Sequence, residues 1–102
     1  MPRFDIYRNP NPRATHGLYL DVQSDLVRTF TRWCVPLLKV EAGLAVLTGA
    51  QRVFDLEGMQ WLLDAPNILA VPNTLLRVPV GRLGPDEQLQ VESALDFMLR
   101  GY

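Results

Sequence analysis

A chain of 102 residues, 48% hydrophobic and 21% charged, has the make-up of an ordinary globular protein and room for one modest core, so residues 1–102 read as a single domain. A net charge of −1 argues against a protein built mainly to grip nucleic acid, and no apolar run approaches the roughly 20 residues that a membrane helix requires. The single Cys34 excludes an internal disulfide and, with no leader pattern in MPRFDIYRNP, fits a reducing cytoplasmic setting.

Along the chain, Arg3–Arg8 alternates, with Phe4 and Ile6 on one side and Asp5 and Tyr7 on the other, which predicts a strand. Asn9–Gly17, NPNPRATHG, is a turn-forming loop, and Leu18–Gln23 alternates again: Leu18, Leu20 and Val22 face in, Tyr19, Asp21 and Gln23 face out. The two strands read as a hairpin with a long tip. Ser24–Thr31 breaks the pattern, with Leu26 and Val27 adjacent in a polar context. Arg32–Leu38 is apolar and β-prone, but Pro36 cannot donate to a ladder and predicts an edge strand or a bulge. Val40–Gly49 is ambiguous, its Ala and Leu content favouring a short helical turn.

Gln51–Leu56 and Met59–Asp64 flank Glu57-Gly58 and form the clearest hairpin signal. Ala65–Asn67 reads as a turn, and Ile68–Val71 and Leu75–Val80 as further strands. Gly84–Tyr102 is the clear amphipathic helix. Gly84 acts as N-cap, Pro85 suits the first helical position, and Asp86 and Glu87 complement the helix dipole. Val91, Ala94, Leu95 and Met98 form the core-facing stripe, Arg100 points away from it, and Gly101 offers the C-terminal stop. Many short strands followed by one helix imply a mainly β fold, a small barrel or curved antiparallel sheet capped by that helix.

Catalytic signatures are easier to exclude than to find. The lone His16 sits in a Pro/Asn-rich loop, no ligand spacing supports a metal site, and no phosphate-cradling motif is present, so no cofactor is expected. Asp21 and Asp25 read as surface charge and turn capping, and Cys34 as a buried, inert thiol. Trp33 and Trp61 read as core or interface anchors. Arg28, Thr29, Thr31 and Arg32, with His16, leave open metal-free cleavage of RNA. Residues 1–40 carry six Arg or Lys against three Asp, and residues 41–102 four Arg against eight acids. Such a basic half can attract an acidic partner segment.

Leu20-Asp21-Val22-Gln23-Ser24-Asp25-Leu26 resembles the VDVQSD segment of the CcdB toxin family. Phe4-Asp5-Ile6-Tyr7 resembles that family's first strand, and Arg32-Trp33-Cys34-Val35-Pro36-Leu37 its Arg-rich approach to a V-I-P-L strand. Val53–Gly58, Ala70-Val71-Pro72, and Ser93–Met98 followed by Gly101-Tyr102 are similar to later segments, in order and at matching length. The resemblance implies an SH3-like β-barrel elaborated by a small sheet, with a C-terminal helix, as in the CcdB/MazF (Kid) superfamily. It implies a homodimeric, non-enzymatic toxin of a type II toxin–antitoxin module involved in plasmid maintenance. Such a toxin binds the A subunit of DNA gyrase, traps the cleaved-DNA complex and is neutralised by a CcdA-like antitoxin. By position, the gyrase-contacting residues fall on Leu26, Val27, Asp96, Leu99, Arg100, Gly101 and Tyr102. The family's W-G-I terminus, whose paired tryptophans stack on a gyrase arginine, is R-G-Y here, and Asp96 replaces an amide. The alternatives are a MazF-like ribonuclease, or a CcdB-like protein that has lost gyrase poisoning.

Overall fold

The computed structural model describes residues 2–41 and 49–101. These form β1 (Asp5–Arg8), β2 (His16–Asp21), β3 (Thr31–Lys39), β4 (Gln51–Leu56), β5 (Met59–Asp64), β6 (Leu69–Pro72), β7 (Gly81–Arg82) and the helix α1 (Pro85–Arg100). The strands make one curled antiparallel sheet in the order β4-β5-β3-β2-β1-β7, with β6 also paired to β3. Mainly β with a closing helix is the expected class.

β3 is the spine. β2 lies along one side of it, and two strands share the other: β6 pairs with Thr31–Cys34 and β5 with Leu37–Lys39. Pro36 is therefore in a central strand, not at an edge. It is tolerated because Val35 and Pro36 fall in the gap between β6 and β5, where a missing N–H costs no ladder bond on that side. The register irregularity lies opposite, in β2 between His16 and Leu18.

One face of the sheet carries the main core: Ile6, Leu18, Leu20, Val22, Val35, Leu37, Phe54 and Leu63 pack with Val91 and Ala94 of α1, and Leu95 packs against them. Each fully buried aliphatic side chain contributes about 1.5–3 kcal/mol. The buried stripe of α1 is shorter than expected: it ends at Val91, Ala94 and the half-buried Leu95, while Met98 is 43% exposed. Both predicted ends of α1 hold. Gly84 is the N-cap with Pro85 following, and Gly101 is left-handed (φ 80°), its N–H donating to the Phe97 carbonyl.

The outward positions of β1 and β2 do not face water. Tyr7 and Tyr19 form a second core with Cys34, Val71 and Leu76, while Asp5, Asp21 and Gln23 are also buried. Leu76 explains the expected strand Leu75–Val80 that is not there. A 3-10 turn at Asn73–Leu75 lifts the chain off β6, and the following segment supplies Leu76 to the second core. Pairing resumes only at β7, which joins β1. The ambiguous stretch Val40–Gly49 lies mostly outside the described residues.

The β4–β5 hairpin is as predicted. Glu57 (φ 51°) and Gly58 (φ 80°) both take positive φ, the geometry of a two-residue turn that matches strand twist. A Cβ on Gly58 would meet nothing within 4 Å, so its requirement is purely conformational. Gly58→Ala should lower unfolding free energy by about 1–2 kcal/mol in urea titration; an unchanged midpoint would show that the turn relaxes.

Candidate functional site

The segment between β2 and β3 is held at its base by a buried ion pair. Asp21, the last residue of β2, is fully buried and receives two hydrogen bonds from Arg32, from Nε at 2.8 Å and Nη2 at 3.0 Å. Arg32 Nη2 also donates to the Gln23 carbonyl at 3.0 Å and to Asp25 Oδ1 at 3.3 Å. Burial lifts the Asp21 carboxyl above its ordinary range, and Arg32 and the Gln23 N–H partly offset this. For Arg32, burial opposes the charge, but its bonds to Asp21 and Asp25 hold the guanidinium above its usual value. The reading of Asp21 as surface charge is thus overturned; its capping role stands, since Oδ1 accepts the Gln23 N–H at 3.1 Å.

Gln23 carries the same frame into the loop. Its amide nitrogen donates to the Val27 carbonyl at 2.8 Å, and its amide oxygen accepts the Trp33 N–H at 2.9 Å. The loop backbone is closed by the Val27 N–H on the Ser24 carbonyl at 3.0 Å. On this polar frame stand apolar side chains with no core to enter: Leu26 is 94% exposed, Phe30 95%, and Val27 and Trp33 about half.

The second patch is the end of α1. Asp96, Leu99, Arg100 and Gly101 are all exposed, Leu99 at 78%. Asp96 and Leu99 continue the line of Glu92 along the helix (i, i+4, i+7). Glu92 lies beside the first patch, because its carboxylate accepts from Arg3 Nη1 at 3.4 Å while the Arg3 N–H donates to Asp25 Oδ1 at 2.9 Å. Tyr102 lies outside the described residues. Trp33, read from the sequence as a core or interface anchor, is half exposed here, whereas Phe30 was not foreseen as part of this surface; the available signal was its place in Ser24–Thr31, the segment that breaks the strand alternation and also holds Leu26 and Val27.

A family model described as CcdB protein matches residues 3–101. The chain belongs to the CcdB family. Membership supports a toxin of a toxin–antitoxin system. Among curated proteins, no match is found. The CcdB match spans the loop, the buried pair and all of α1, so every candidate residue except Tyr102 lies within it.

The residues that left RNA cleavage open are only partly brought together. Arg28, Thr29 and Arg32 line an open polar depression of about 520 Å³ with Asp25 and Asn73. His16 is not among them. It opens β2 opposite Leu38, six residues along β3 from Arg32, a separation of about 20 Å at strand rise. The Arg32 guanidinium is already engaged with Asp21, Asp25 and Gln23. Trp61 is half-buried against the main core and walls a separate cleft of about 630 Å³ between the β4–β5 tip and β7. Among the described residues, no group of three His, Cys, Asp or Glu side chains is placed to hold a metal, and no helix is long and apolar enough to cross a membrane.

Two outcomes follow from the buried groups. Asp21→Asn leaves the Arg32 charge without its main buried partner and should cost about 3–5 kcal/mol of stability by denaturant titration. Burial pushes the Cys34 thiol up to about 12. At pH 8 its thiolate fraction is then about 10⁻⁴, so native protein should resist a thiol reagent that labels the denatured chain fully.

Proposed function

We propose that this CcdB-family toxin acts by docking on the A subunit of DNA gyrase and trapping the cleaved-DNA complex, without catalysing a reaction itself. The observation that carries the reading is the pair of exposed patches at the positions where family resemblance places gyrase contacts: Leu26 and Val27 on the loop, and Asp96, Leu99, Arg100 and Gly101 at the end of α1, with Tyr102 completing the terminus. Large apolar side chains kept at 78–95% exposure on a rigid frame mark a surface meant for a partner. Arg100 stands where relatives carry a tryptophan that receives a gyrase arginine, so a cation meets a cation there. That substitution weakens the contact and shifts the weight of docking to Leu26, Phe30 and Leu99.

The active unit in this reading is a homodimer. Trp33 alternates with Val35 and Leu37 and so lies on the helix-bearing face, yet it is half exposed, as is Met98 of α1. A second copy would bury both. Neutralisation falls to a CcdA-like antitoxin with an acidic, largely disordered segment, supported by the exposed Arg8, Arg13, Arg28 and Arg77. The toxin is expected to work in the cytoplasm, where gyrase is.

Expression in a host with sensitive gyrase should arrest growth and accumulate cleaved-DNA complexes, while protein truncated after Leu99 should do neither. Arg100→Trp should raise the yield of complexes severalfold. Equal harmlessness of full-length and truncated protein, with no complexes, would refute the gyrase reading. Trp33→Glu should shift the purified protein from dimer to monomer in sedimentation analysis; a monomeric parent protein would remove the dimer from the account.

A further inference from the structure

Arg3 lies outside β1 and none of the functional positions implied by resemblance includes it, yet it contacts both the base of the β2–β3 loop and the helix α1. Its backbone N–H donates to Asp25 Oδ1 at 2.9 Å and its Nε–H to the Val22 carbonyl at 2.9 Å. Its Nη1 reaches Glu92 Oε1 on α1 at 3.4 Å. The guanidinium carbon stands 4.5 Å over the Phe4 ring, and the Arg3 carbonyl accepts from Arg82 Nη1 at 2.8 Å. Phe4 itself takes φ 73°, rare for a bulky residue, and that turn of the backbone lies between Arg3 and the start of β1.

We propose that Arg3 is a positioning residue that couples the loop patch to the helix patch, so that Leu26 and Val27 are presented in fixed relation to Asp96 and Leu99. The proposal rests on the reading of those two patches as one docking surface. The physical case is one of geometry. Leu26 and Phe30 are almost wholly exposed, so no apolar packing of theirs ties the loop to α1. Arg3 spans the distance with a planar fork whose Nε and Nη1 bond different elements at once, which a lysine cannot reproduce. Asp25 is shared between Arg3 and Arg32, so the bracket continues into the buried Asp21–Arg32 pair. The coupling runs from the buried pair through Asp25 and Arg3 to Glu92, three residues of which lie on three different segments.

The test separates the bracket from the docking reading. Amide hydrogen exchange of residues 24–30 is measured in the parent protein and in Glu92→Gln, Arg3→Met and Arg3→Lys. Glu92→Gln removes a charge on α1 and touches no loop atom. Loss of one half-exposed ion pair predicts exchange about two- to fivefold faster in the loop, with β2 and β3 unchanged. Arg3→Met should give a larger increase, about tenfold, and Arg3→Lys should not restore the parent rate. Loop exchange unchanged in Glu92→Gln, or full rescue by Arg3→Lys, would overturn the coupling. In parallel, binding to purified gyrase A subunit is measured. If the parent binds, Arg3→Met should weaken it at least threefold, and unchanged affinity would overturn the positioning role. If the parent does not bind while the exchange result holds, the docking reading fails and the coupling stands.

Discussion

The ion pair between Asp21 and Arg32 is the constraint on which the β2–β3 connection and the candidate surface built on it depend. The two residues close the base of the β2–β3 connection, one at the end of its strand and one near the start of the next. Withdrawing both charges from water carries a desolvation cost of several kcal/mol per ion, and the pair is tolerable only because its geometry is bidentate and the remaining donors and acceptors are met by Gln23 and Asp25. Hydrophobic residues of like volume could fill the space at comparable stability. What they could not do is extend polar ties into a loop that must keep its own apolar side chains outside. The pair fixes a shape that hydrophobic packing would have collapsed.

That arrangement suits the proposed action by docking. In that reading the surface is held still with its apolar groups exposed to water and ready to be covered; ordering of the loop before contact reduces the entropy lost on binding. The two cores serve the same end. The helix-bearing core sets the orientation of α1, and the smaller core around Tyr7, Tyr19 and Leu76 lets both faces of the central strands be buried, so Asp21 can sit in a dry interior. The basic bias of the first 40 residues reaches the surface at Arg8, Arg13 and Arg28, which are exposed.

Local chemistry made some of this legible in the sequence and long-range packing concealed the rest. The Glu57-Gly58 hairpin and both ends of α1 follow from residues within a turn of one another, and they appear as read. The alternation of β1 and β2 located both strands correctly but misassigned their second face, since alternation cannot tell a solvated face from one covered by a distant segment such as Leu76. Pro36 predicts an edge or a bulge because it cannot donate to a ladder; two strands meeting end to end supply the gap that it needs. Asp21 looked like surface charge because its partner, Arg32, lies eleven residues on and meets it only through the β2–β3 pairing. For the candidate surface, Leu26, Val27 and the helix end came from family resemblance; Trp33 read as a core or interface anchor and its exposure favours the interface, whereas Phe30 emerges only when exposure is known. His16 and Arg32 stood in one sequence-level cluster, and the sheet draws them to opposite ends of β2 and β3.

Differential amide hydrogen exchange on addition of purified gyrase A subunit tests the central claim most directly. The account predicts protection in residues 24–30 and 95–101 together, with the β4–β5 hairpin unaffected. Protection confined to one of these segments, or centred on the Trp61 cleft between the β4–β5 tip and β7, would contradict a single docking surface built on the Asp21–Arg32 pair.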